Sequence, residues 1–201
     1  SGGKTSLLRV LAQELSHRGT VLLATTTHIM RPNWCPFAAT AAELRAGFTH
    51  SPVVCAGSYT PEGKLTAPDF PGWQYAADFV LVEADGSKRL PAKAHAAWEP
   101  VLPPERNRTV CVFGASALGQ PIQDAAHRPE LYASLAEVSP EAVITPAIAA
   151  RVLAKEGNFD ILFINQADVL EDPVAALQPL VYTLPCPVIY GALAEGYWAK
   201  L

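Results

Sequence analysis

The sequence predicts an α/β protein in which a mostly parallel sheet is flanked by helices. Three observations carry that expectation. Short apolar runs rich in β-branched residues recur along the chain, amphipathic stretches alternate with them, and no internal repeat or low-complexity segment interrupts the pattern. Half of the 201 residues are apolar and 17% are charged, a balance that suits a compact fold and argues against extensive disorder. The length allows one large domain or two small ones, and the chain is expected to form a single domain over residues 1–201.

The elements follow in order. Over residues 5–18, Leu7, Leu8, Leu11 and Leu15 recur at helical spacing, with Gln13, Glu14 and Arg18 set away from most of them, and Gly19 ends the pattern. Residues 20–25, "TVLLAT", read as a strand covered on both faces. Further strands are expected at "SPVVCA" around Val53, at 78–83, 109–114 and 159–165, and near Ile189. Helical patterns fall at about 38–46, 129–137, 146–156 and 172–180. Two stretches stand outside this alternation. Residues 57–74 hold Gly63 between short candidate strands and read as a hairpin on the sheet's edge. Residues 84–108 read as a long, proline-marked loop, and loops of that length in compact domains tend to be functional.

Composition excludes several roles. A net charge of −4 without any long Lys/Arg run does not suit a nucleic-acid partner. No apolar run approaches the roughly 20 residues that span a bilayer, so no membrane partner is expected, and the opening residues read as an amphipathic helix of a soluble cytoplasmic protein. Cys35, Cys55, Cys111 and Cys186 form no C-x-x-C pair, which points neither to a zinc cluster nor to a disulfide framework. Cys35, in Trp34-Cys35-Pro36, falls in a loop where a thiol could be exposed, with an inert cysteine as the plainer reading.

Three motifs carry candidate chemistry. In "SGGKTSLL", Gly3, Lys4 and Thr5 fit the last three positions of the phosphate-binding pattern G-x-x-x-x-G-K-[ST], whose first glycine and feeding strand would lie before Ser1. In that reading Gly2, Gly3, Lys4, Thr5 and Ser6 surround phosphate oxygens, Lys4 reaches the β and γ phosphates, and the Thr5 hydroxyl holds Mg²⁺. The alternative is a glycine-rich start with Thr5 capping the helix. Missing its first strand, the motif is expected to bind nucleotide weakly.

Downstream, "DFVLVEADGS" ends an apolar strand in Glu83 and places Gly86 three residues later, the h-h-h-h-D-x-x-G pattern with Glu for Asp. Glu83 would complete the metal shell, Gly86 would offer its N–H to the γ-phosphate, and Asp85 would orient an attacking water. A charged turn at Asp-Gly is the alternative. In "FINQAD", Asn165 and Asp168 match N-K-x-D except that Gln166 replaces Lys. A carboxylate can accept both guanine N–H donors, which favours GTP over ATP, and a capped strand-to-helix turn explains the same letters. "TTTH", residues 25–28, places hydroxyls and His28 at another strand end, and Lys88, Arg89, Lys93, Arg106 and Arg108 give the long loop local positive charge.

Together, "GGKTSLL", "TTTH", "VEADGSKRLPAK", "EPVLPP", "FGASALGQP", "HRPE" and "INQAD" resemble the YqeC-type selenium-dependent hydroxylase accessory proteins. The resemblance covers nearly the whole chain. It implies a P-loop NTPase-like fold lacking its first P-loop strand here, and a role in maturing a selenium-dependent molybdenum hydroxylase, with that hydroxylase or a selenium donor as partner. The function expected is that of a nucleotide-binding accessory factor and slow GTPase using Mg²⁺ with GTP or ATP, in which Lys4, Glu83 and Asp85 act in catalysis. A phosphotransferase with Asp85 as base and the basic loop as site for a small anionic acceptor, and a binding module without hydrolysis, are the alternatives.

Overall fold

A computed structural model describes residues 2–201. The described chain falls into two compact units. The first is built on Thr5–Gly86 with the short segment Glu99–Glu105, and the second takes the remaining residues, Gly2, Gly3 and Lys4 included.

The opening helix, α1 (Lys4–Leu15), turns Ala12 into the core and keeps its leucines half-buried. It stops three residues short of the predicted end, where the Ser16 hydroxyl donates to the Gln13 carbonyl and competes with helical bonding. Gly19 follows because a Cβ there would lie 2.6 Å from Asp78 Oδ2. That carboxylate accepts from both the N–H and the hydroxyl of Thr20, each at 2.8 Å, and so ties together the starts of two strands.

Those strands belong to a four-stranded sheet formed by β1 (Val21–Thr25), β2 (Phe37–Ala38), β3 (Val53–Ala56) and a later strand at Phe79–Glu83. The run "VLLAT" is apolar throughout because both faces are covered. Leu22 and Ala24 join Val54, Ala56 and Trp73 on one side, and Val21 and Leu23 join Ala12, Val53 and Leu65 on the other. The helix predicted over 38–46 is α2 (Ala41–Phe48), shifted because Ala38 belongs to β2 and Thr40 caps the helix in a capping box with Glu43. Within 57–74, β4 (Ser58–Tyr59) and β5 (Leu65–Thr66) pair antiparallel around a turn in which Gly63 has φ +76°. The Phe79–Glu83 strand, β6, pairs in parallel with β1, so the sheet order is β2-β3-β1-β6 and Thr25 stands beside Glu83 at the carboxyl ends.

In the second unit the 84–108 stretch contains a short strand, β7 (Ala92–Lys93), which pairs in parallel with β9 (Ala126–His127). Between them lie β8 (Val110–Gly114) and the short helix α3 (Ile122–Ala125). Helices α4 (Pro129–Ala136), α5 (Pro146–Glu156) and α6 (Pro173–Thr183) all begin with proline in the first turn, where its missing N–H costs nothing. They accompany β10 (Ile161–Asn165), β11 (Val188–Ala192) and β12 (Tyr197–Lys200) in a sheet of order β12-β11-β10-β8. The last strand runs antiparallel and the other pairings are parallel. Tyr132, Ile144, Val152, Leu162, Ile164 and Leu177 form the centre of this core. Both units are thus α/β, with parallel sheets flanked by helices.

Candidate functional site

In the first unit the chemistry gathers at the carboxyl end of β6. Four apolar residues carry the strand, and Glu83 closes it, 7% exposed. The Thr5 hydroxyl donates to Glu83 Oε2 at 3.0 Å, across 78 residues of sequence. Thr5 lies inside α1, one residue past its start, and its side chain does not serve as the cap considered above. The backbone of Glu83 is fixed from the other side. Its carbonyl accepts from the Thr26 N–H at 3.1 Å and from the Thr25 hydroxyl at 2.8 Å. One residue on, the Ala84 carbonyl accepts from the Val101 N–H, and the Val101 carbonyl in turn accepts from the Thr26 hydroxyl at 2.6 Å. The "TTTH" hydroxyls of Thr25 and Thr26 therefore clamp strand ends, and His28 is exposed.

Asp85 is 7% exposed. Gly86 has no left-handed φ, and a Cβ there would meet no atom within 4 Å, so the fold itself places no demand for glycine at this position. The turn considered at Asp85-Gly86 falls three residues later, at Lys88 and Arg89. Thr5 and Ser6 are exposed at the head of the helix.

The Thr5–Glu83 pair suits a small hard dication. Both donors are oxygen, and their 3.0 Å separation is close to the edge of an octahedron with bonds of about 2.1 Å. Among the described residues no group of three or more His, Cys, Asp and Glu could hold a metal by itself. Mg²⁺ needs no such cage, because it keeps several waters and takes few protein ligands.

The second unit holds the glycines. Gly2 and Gly3 have φ of +54° and +96°, a region that side chains rarely adopt. A Cβ on Gly2 would lie 2.9 Å from Gly114 N, and one on Gly3 would overlap the Asn165 amide. Asn165 closes β10, 7% exposed, and its Oδ1 accepts from the Leu193 N–H at 3.0 Å. The side chain thereby braces the turn after β11 while lying against Gly3. Gln166, at φ +62°, accepts from the Ser116 hydroxyl at 2.8 Å. Asp168 is exposed on the 3₁₀ turn Ala167–Val169 that follows, and Lys4, half-buried, opens α1.

The structure thus joins Thr5 with Glu83, and Gly3 with Asn165. It adds three groups that sequence reasoning missed: the Leu193 N–H, the Ser116 hydroxyl, and Ser87, which is 3% exposed. Ser87 carried a signal in its place inside the "EADGS" segment and Ser116 in its place inside "FGASALGQP", whereas Leu193 carried none. All four cysteines are free. Burial raises the thiol pKa of Cys35 and pushes that of Cys55 up to about 12, which leaves both poor nucleophiles.

An α/β protein with parallel sheets and a hydroxyl–carboxylate pair at one sheet's carboxyl end is the class that this geometry defines. Residues 1–130 match the family model described as YqeC protein. The chain is 32% identical over 204 residues to the uncharacterized protein YqeC of Escherichia coli (strain K12), a match covering 90% of this chain and 80% of that protein. The chain belongs to the YqeC family. No solved structure matches it. Among the described residues, no helix is long and apolar enough to cross a membrane.

Proposed function

We propose that the chain is a nucleotide-binding accessory factor, with Mg-GTP as its ligand and slow hydrolysis as its reaction, acting in the maturation of a selenium-dependent molybdenum hydroxylase. The observation that carries the nucleotide reading is the hydrogen bond from Thr5 to Glu83. A helix-opening threonine and a strand-ending carboxylate, far apart in sequence, meet as two adjacent oxygen donors. Mg²⁺ held there would neutralise charge on the nucleotide phosphates. Ser6 would offer its backbone N–H to a phosphate oxygen, and Lys4, the residue before Thr5 in the chain, would add its charge. Asp85 would orient water, and Gly86 would meet the terminal phosphate through its backbone. A carboxylate such as that of Asp168, exposed on the 3₁₀ turn after β10, can accept both guanine donors, which favours GTP over ATP. Membership of the YqeC family supports the accessory role.

The test is thermal unfolding with Mg-GTP, Mg-ATP and the diphosphates. A ligand that binds only the folded chain, at about 100 times its Kd, stabilises by about 2.7 kcal/mol. Mg-GTP should raise the midpoint of the wild-type chain, and Thr5→Ala and Glu83→Gln should each remove the Mg²⁺-dependent part. Equal stabilisation of both variants and wild type would overturn the reading. Phosphate release that survives Lys4→Ala and Glu83→Ala would overturn hydrolysis at this site.

A further inference from the structure

We infer that the turn formed by Ser87, Lys88, Arg89 and Leu90 is a binding site for a tetrahedral oxyanion of the phosphate class. The turn lies wholly in the second unit. The Leu90 N–H donates to the Ser87 carbonyl at 2.9 Å, and the two residues between them have φ of +49° and +65°. Two successive positive φ values across such a bond are the mark of a type I′ turn, whose central positions are dominated by Gly, Asn and Asp. Lysine and arginine stand there instead, each in a conformation that an L side chain adopts at a cost. Nothing in the fold offsets that cost: both side chains are exposed, and neither has a hydrogen-bond or ion-pair partner among the described residues. Strain that packing does not explain is the kind retained for a ligand.

Ser87 is the second, independent observation. It is 3% exposed, and among the described residues its Oγ has no hydrogen-bond partner. A buried hydroxyl left unpaired is destabilising, and an anion's oxygen would satisfy it. The three side chains supply complementary donors: one neutral O–H, one mobile ammonium, and one planar guanidinium that can grip two oxygens at once. Lys88 and Arg89 stand side by side on the turn, so the local charge there favours the anion, while His95 further along is paired with the Glu156 carboxylate. The inference needs no nucleotide, because every donor named belongs to this turn.

The full chain is titrated calorimetrically with inorganic phosphate at low ionic strength, and in parallel with Mg-GTP and Mg-GDP. The variants are Ser87→Ala and the double substitution Lys88→Gly, Arg89→Gly. Glycine suits both turn positions, so the double variant should unfold a few degrees higher than wild type without ligand (about 2 to 4 °C). It should also bind phosphate roughly tenfold or more weakly, with a smaller loss for Ser87→Ala. Loss confined to inorganic phosphate identifies a free oxyanion as ligand. Loss of Mg-GTP affinity with Mg-GDP unchanged identifies the terminal phosphoryl group of a nucleotide. Variants that bind phosphate and Mg-GTP as wild type does would overturn the site. Failure of Mg-GTP to bind any form, with phosphate binding lost in the variants, would refute the nucleotide reading alone and leave this one standing.

Discussion

Glu83 and Asn165 occupy equivalent positions in the two units. Each closes a parallel strand that pairs on its own side with a neighbour of matching register, and each is 7% exposed. Their chemistry differs. Asn165 is neutral, and its amide is committed to the backbone of Leu193 and to the surface of Gly3. Glu83 is an acid drawn out of water, met by the Thr5 hydroxyl. A neutral amide at a strand end braces the backbone, whereas a buried carboxylate at a strand end carries charge that a bound cation could use.

The sharpest way to break that comparison is at Gly3. Alanine there must adopt φ +96° and overlap Asn165, so Gly3→Ala is expected to destabilise the chain by about 3 kcal/mol, read by denaturant unfolding. Asn165→Ala should cost about 2 kcal/mol, because it leaves the Leu193 N–H unpaired. Glu83→Gln should change stability by less than about 1 kcal/mol in either direction while abolishing the Mg²⁺-dependent ligand shift. If Glu83→Gln proves as destabilising as Asn165→Ala, the contrast between brace and site fails. Gly86→Ala, with open space around the new methyl group, should leave the melting temperature within about 1 °C and lower Mg-GTP affinity.

The smallest effect concerns Asp78, at the opposite end of β6 from Glu83. Hydrogen bonds from the Thr20 N–H and hydroxyl hold its carboxyl below the usual aspartate range. A depressed pKa contributes stability above the unfolded value, about 3.9, and that contribution disappears as pH falls through the folded value. Stability measured from pH 5 downward should therefore fall less steeply in Asp78→Asn than in wild type.

Much of the fold was legible because its parallel strands are buried or half-buried along most of their length. "VLLAT", "FVLVE", "VCVFG", "ILFIN" and "VIYGA" are near-continuous apolar runs, and Pro129, Pro146 and Pro173 mark helix starts by their own geometry. The last strand was not legible: every residue of Tyr197–Lys200 is exposed, which removes the apolar pattern that signals burial. The site divides in the same way. Glu83 was readable as an acid ending an apolar strand, but the clamp from Thr25 and Thr26 depends on partners 58 and 75 residues away. The bracing role of Asn165 likewise depends on a backbone N–H 28 residues downstream. The turn at Lys88 and Arg89 was hidden because those residue types argue against the conformation they adopt.

The boundaries between the two units have a practical consequence. The polypeptide passes from one unit to the other after Lys4, Gly86, Trp98 and Glu105. Neither unit can be cloned as one uninterrupted stretch of gene, and no single protease cut releases either of them. A nick between Gly86 and Ser87 should leave fragments that travel together through gel filtration and separate only when denaturant is added.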